Sequence, residues 1–222
     1  MRGERVAVDT DGWVSLAHIS PSPNCEARPE GVAPSLIVIH NISLPPGEFG
    51  GSAITELFQN RLDCSAHPYF DEHLRGLRVS SHFLIARSGA LEQFVSCEAR
   101  AWHAGASDFF GRPRCNDFSI GIELEGTDDL PYEHAQYREL ARSIAGLCRA
   151  YPSLSVERIA GHSDIAPGRK TDPGEFFDWA RLRAMLTAEG SAEGSGLALP
   201  HRGVEPGSVE PGSGLALPHP VS

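Results

Sequence analysis

Lysine is nearly absent from this chain of 222 residues: of its nineteen basic residues, eighteen are arginine and one, Lys170, is lysine. Basic blocks are absent as well, and the formal net charge is −10. That balance excludes partners held through rows of phosphate contacts, nucleic acid and anionic membrane surfaces among them. No apolar run approaches the length of a membrane span, and the N-terminal stretch holds no apolar core of signal-peptide length. A cytoplasmic protein with a small-molecule ligand and no membrane partner is expected. The five cysteines are odd in number and scattered, with no C-x-x-C pair, so reduced, buried thiols fit better than a disulfide framework.

What is present suits a soluble globular protein, with 41% hydrophobic and 22% charged residues. One main domain over residues 1–187 is expected. From about Ala188 the composition changes: GSGLALPH occurs at 194–201 and again at 212–219, with VEPGS twice between. Too few large apolar side chains remain there to offset the entropy of ordering, so 188–222 reads as a low-complexity, disordered tail in which His201 and His219 are solvated bystanders.

Within the domain, Ser35–Asn41 (SLIVIHN) is a β-branched apolar run that predicts a buried central strand with His40 at its C-terminal edge. Ser81–Ala86 and Leu91–Val95 flank a turn at Arg87–Ala90 and predict a hairpin, and Ser119–Leu124 predicts a further strand. Apolar residues at Tyr137, Leu140, Ala141, Ile144, Leu147 and Cys148 recur every three or four positions until Pro152, which predicts a helix between Tyr132 and Tyr151. A second helix is expected over 176–188 and a weaker one over 54–62. Strands and helices interleave without strict alternation, so the expected class is α/β, a mixed central β-sheet flanked by helices.

The segment GHSDIAPGRKTDPG at Gly161–Gly174 gathers His162, Asp172 and the lone Lys170. A catalytic zinc site takes three ligands from His, carboxylate or Cys and leaves a position open; His40, His162 and Asp172 supply such a set for one Zn2+ per chain. In the strand around Glu123, period-2 alternation puts Glu123 and Glu125 on one face, away from Ile122 and Leu124. A carboxylate held in a cleft there can act as a base, and Lys170 can donate to an oxyanion. The competing structural reading makes Glu123 and Lys170 a solvated ion pair. His82 reads as a hydrogen-bonded core or cleft residue and His103 as a residue lining a groove, neither as a ligand. His18, His67, His73 and His134 read as partly exposed.

Five strings carry a resemblance across nearly all of the domain: VIHNISLPPGEFGG at 38–51, SSHFLIARSG ending at Gly89, WHAGAS at 102–107, CNDFSIGIELEGTD at 115–128, and the Gly161–Gly174 segment. In this order they resemble the AmpD-type N-acetylmuramoyl-L-alanine amidases of the amidase-2 superfamily, related to the peptidoglycan recognition proteins. The resemblance implies a cytosolic zinc amidase that cuts the lactyl-L-alanine amide between 1,6-anhydro-N-acetylmuramic acid and the stem peptide in peptidoglycan recycling, with a link to β-lactamase regulation. It implies His40, His162 and Asp172 as metal ligands, Glu123 and Lys170 as catalytic residues, and Asn41, Arg78, Trp102 and Arg114 as substrate contacts. A monomer that takes an anhydromuropeptide is expected. The alternatives are a non-catalytic muropeptide-binding protein of the same fold, which would lack a ligand or the base, and an exported amidase acting on intact wall.

Overall fold

The computed structural model describes residues 5–192. Its strands are β1 (His18–Ile19), β2 (Cys25–Ala27), β3 (Leu36–Ile42), β4 (Phe83–Ile85), β5 (Leu91–Gln93), β6 (Ala99–Ala101), β7 (Asp108–Phe109), β8 (Arg112–Pro113), β9 (Ser119–Glu125) and β10 (Ile159–Gly161). Its α-helices are α1 (Ala53–Phe58), α2 (Pro68–His73), α3 (His134–Ala150), α4 (His162–Ile165) and α5 (Trp179–Ala192). Six strands form one sheet in the order β1-β5-β4-β9-β3-β10. All pairings in it are parallel except the β4–β5 hairpin, which is antiparallel. This is the mixed α/β sheet expected from the sequence.

The two seven-residue strands β3 and β9 lie side by side at the centre, and every residue of β9 is buried. Burial from both sides is why β3 reads as an unbroken apolar run instead of an alternating one. Ile37, Ile39, Ile120, Ile122 and Leu124 face the main core, where they join Tyr137, Leu140, Ile144 and Leu147 of α3 and Leu182 and Leu186 of α5. On the opposite face Leu36 and Val38 pack with Phe118, Cys115, Ala160 and Ile165. His40 and Glu123 continue that second face toward the C-terminal ends of their strands, away from α3.

Helix α3 is tied to the sheet by one buried amide. Gln136 Oε1 accepts from Glu133 N–H at 3.0 Å, while its Nε2 donates to Ile85 O at 3.2 Å and Glu125 O at 2.9 Å. The first turn of the helix is thereby capped and fixed to β4 and β9 together.

Two helices depart from their expected bounds for local reasons. The helix expected over 54–62 stops at Phe58, because Asn60 takes a left-handed φ of 58°. Arg61 N–H then bonds Glu56 O at 2.7 Å and Asn60 N–H bonds Leu57 O at 3.0 Å, the paired bonds of a Schellman C-cap. The helix expected from Phe176 begins at Trp179, because Asp178 Oδ1 accepts from Arg181 N–H at 2.9 Å and caps it. Phe177 is buried ahead of that start. The helix runs on to Ala192, so 188–192 is helical rather than part of a tail; the rest of the expected tail, 193–222 with His201 and His219, lies outside the described residues. Among the described residues no helix is long and apolar enough to cross a membrane, and all five cysteines are free thiols.

Because Ile122 is fully buried between the sheet and α3, Ile122→Ala is expected to lower unfolding free energy by about 2–5 kcal/mol through lost burial and the cavity left behind. Urea unfolding measures this, and a loss under about 1 kcal/mol is the outcome that contradicts a tightly packed centre.

Candidate metal centre

Strand register brings three distant side chains together. β10 lies parallel to β3 with Gly161 opposite Ile39, so the next residue, His162, the first of α4, emerges beside His40. Ligands of open α/β sheets collect at this carboxyl end of the strands. Asp172 arrives on the following loop, where Ser163 N–H donates to its carbonyl at 2.9 Å. The Thr171 hydroxyl donates to one oxygen of Asp128, whose other oxygen accepts from Asn41 Nδ2 at 2.7 Å, and Tyr132 OH donates to Pro173 O at 2.7 Å. Gly174 holds a φ of +81°, and a Cβ there would meet Asp128 Cα at 2.3 Å. Only glycine satisfies both the conformation and the space.

His40 Nδ1 lies 3.0 Å from His162 Nδ1 and 3.0 Å from Asp172 Oδ2, and His162 Nδ1 lies 3.1 Å from the same oxygen. The protons decide what this cluster wants. His162 Nε2 faces Ala104 O at 3.1 Å; a carbonyl only accepts, so the ring proton is on Nε2 and Nδ1 offers a lone pair. Burial works to raise the Asp172 carboxyl, yet imidazole hydrogen bonding, for which only His40 can turn an N–H toward it, holds it well below the usual carboxylate range, so it is ionised. Burial pushes His40 down to about 4, with the Asp172 hydrogen bond opposing, so His40 carries a single proton at neutral pH. At most one proton then serves three crowded acceptor atoms. A divalent cation satisfies all three, and their separations fit donors about 2.0–2.2 Å from one zinc ion. Among the described residues this is the one His/Cys/carboxylate group close enough to share an ion.

Glu123 stands opposite His40 in the β3–β9 register. It is 8% exposed, and its Oε2 is buried with no hydrogen-bond partner. Burial raises its carboxyl well above the ordinary value; Asp172 adds to the rise and the Lys170 ammonium works against it. Glu123, Asp172 and Lys170 therefore share one electrostatic environment. Glu125, two residues on, is spent on structure, accepting from Gly50 N–H at 2.5 Å and Arg87 N–H at 2.9 Å.

The expected substrate contacts are placed unevenly. Asn41 adjoins His40, but its amide nitrogen is engaged by Asp128. Trp102 is half-buried, and its indole Nε1 is enclosed without a partner. Arg78 is exposed, and Arg114 is exposed with its Nε 3.1 Å from Asp117 Oδ2; no contact joins either to the cluster among the described residues. His82 is fully buried and engaged, its Nδ1 accepting from Gly121 N–H at 3.0 Å and its Nε2 facing Ala99 O at 3.1 Å. Sequence reasoning misses Asp128 altogether. Its one signal is position, just after a strand whose Glu123 faces the site.

The family model of N-acetylmuramoyl-L-alanine amidases matches residues 30–175. The 1,6-anhydro-N-acetylmuramyl-L-alanine amidase AmpD of Citrobacter freundii is 54% identical over 183 residues, which is 82% of this chain and 97% of that protein. A crystal structure of a selenomethionine AmpD derivative matches with a TM-score of 0.78 at 54% identity, covering 81% of this chain and 98% of its own. AmpDh3 of Pseudomonas aeruginosa, solved in complex with anhydromuramic pentapeptide, matches with a TM-score of 0.51 at 29% identity over 71% of this chain and 61% of its own.

Equilibrium dialysis is expected to give one zinc per chain, with His40→Ala, His162→Ala and Asp172→Ala each losing it; full zinc in any of these removes that residue from the site. Burial also drives His82 down to about 3 from its ordinary 6.5, so the folded state stays neutral where the unfolded chain takes a proton. The metal-free protein should therefore lose stability as pH falls from about 6.5 toward 4, by up to roughly 1.4 kcal/mol per pH unit for each such histidine. Urea unfolding at pH 7 and 5 should show a shallower loss in His82→Gln; equal slopes contradict the assignment.

Proposed function

The chain belongs to the N-acetylmuramoyl-L-alanine amidase family, and from that premise we propose that it uses zinc to hydrolyse the amide between the lactyl group of 1,6-anhydro-N-acetylmuramic acid and L-alanine of the stem peptide, in the cytoplasm, during peptidoglycan recycling. That it is an amidase follows from the family and from AmpD relatives matched over most of their length. The observation that supports the finer reading is the convergence of His40, His162 and Asp172 on the face of the sheet that carries the unpartnered Glu123 carboxylate.

In this reading His40, His162 and Asp172 hold the ion. Zinc, when bound, supplies Lewis-acid polarisation of the scissile carbonyl and acidifies water. Glu123 moves the proton: its free Oε2 takes one from the attacking water and returns it to the leaving alanine nitrogen. Burial suits it to that exchange, because a carboxyl whose pKa is raised is a stronger base and, once protonated, holds a proton it can return. Lys170 sets its ammonium against the tetrahedral oxygen, and on the one flexible lysine stem of the chain it can follow that oxygen as charge develops. Trp102, Asn41, Arg78 and Arg114 are proposed to orient the muropeptide, the guanidinium groups suiting its carboxylates.

Release of free stem peptide from an anhydromuropeptide tests the activity, with chelator abolishing it and added zinc restoring it. Glu123→Ala is expected to lower turnover by about 10²–10⁴ with zinc still bound, and Lys170→Ala by about 10²–10³. Near-normal turnover in either removes that residue from its role, and binding of the muropeptide with no peptide released would favour the non-catalytic alternative.

A further inference from the structure

The nitrogen of His40 that faces away from the cluster is also spoken for. His40 Nε2 lies 2.8 Å from His103 Nδ1, with the two rings edge-on at 87°, and His103 Nε2 lies 3.0 Å from Ser119 Oγ. The ring of His103 is placed by its surroundings on several sides. Its backbone N–H and that of Ala104 both donate to Asn116 Oδ1, at 3.2 and 2.8 Å. Beneath it lies Gly121 of β9, where a Cβ would meet His103 Cγ and Nδ1 at 2.6 Å. Val38 stands opposite Gly121 and His40 opposite Glu123 in the same register, so the missing side chain at Gly121 makes the space in which an imidazole lies beneath His40.

Proton counting gives this contact a direction. An imidazole that presents its Nδ1 lone pair to an ion beside His162 and Asp172 carries its N–H on Nε2, the nitrogen that faces His103. His103 Nδ1 must then accept it, and the His103 proton must sit on Nε2 and go to the Ser119 hydroxyl, a fully buried acceptor. The opposite arrangement points a proton from His40 Nδ1 into the cluster and shuts the ion out. His82 does not compete for His103, since both of its nitrogens are bonded elsewhere.

We propose that His103 is a positioning residue for the metal centre: through its Nδ1 it holds His40 in the Nε2-protonated form, so that affinity for zinc depends on a side chain that does not touch the ion. The proposal rests on the zinc reading above. Outer hydrogen-bond partners of ligating imidazoles commonly govern affinity in this way.

The test is zinc affinity of the purified full chain, by competition with a chromogenic chelator, in wild type, His103→Phe, His103→Asn and Ser119→Ala. Phenylalanine keeps the ring and removes the acceptor; asparagine can return an acceptor oxygen near the Nδ1 position. The Kd for zinc is expected to rise about 10–100-fold in His103→Phe, to return most of the way in His103→Asn, and to rise less, about 3–10-fold, in Ser119→Ala. Unchanged affinity in His103→Phe with native circular dichroism overturns the proposal, as does equal loss in the Phe and Asn variants, which would mean that bulk rather than the acceptor matters. Should His103→Phe fail to fold, unchanged affinity in Ser119→Ala overturns it. A wild-type chain that binds no zinc would instead sink the zinc reading itself, which separates the two failures.

Discussion

Three acceptor atoms held 3.0–3.1 Å apart, two imidazole nitrogens and a carboxylate oxygen with at most one proton among them, form the constraint on which the rest of this structure depends. Such an arrangement repels itself unless a cation enters it, and it persists only if the backbone on each side is rigid. The rigidity comes from the sheet. His40 and His162 are placed by the parallel pairing of β3 with β10, and Asp172 by a loop pinned through Asp128, Tyr132 and the space left at Gly174.

Burial then separates two carboxylates that would otherwise behave alike. Asp172 lies against two imidazoles and stays ionised, whereas Glu123 has a buried oxygen with no partner and is pushed toward the neutral form. One becomes suited to holding a cation and the other to carrying a proton, a division set by surroundings and not by residue type. The sheet permits this by using its two faces differently. One is filled with aliphatic side chains against α3 and α5, which stabilises the platform; the other gives its carboxyl end to polar groups, His40 and Glu123 among them.

Much of this was legible in the residues. The run around His40, the hairpin about Arg87 and the three-four spacing of α3 are local signals, and local sterics and burial enforce them. The bounds of α1 and α5 were less so, because they turn on single side chains: Asn60 accepting a left-handed backbone and Asp178 capping from three residues ahead. The five motif strings carried His40, His162, Asp172 and Glu123, which the fold brings to one face of the sheet, but not the assignment of Glu125 to a loop clamp or of Asp128 to the link between Asn41 and Thr171. Nothing near Asp128 in the chain announces partners that lie 43 and 87 positions away.

By itself, then, the amino-acid order determined which segments become strands and helices, which residue types can bind a metal, and which family they belong to, since periodicity and side-chain chemistry act over a few positions. The tertiary structure alone decided which nitrogen of each histidine faces the cluster, which carboxylate is ionised and which is raised, and that His103 stands behind His40. Those outcomes depend on register between strands far apart in the chain and on exclusion of water, and a linear pattern contains neither.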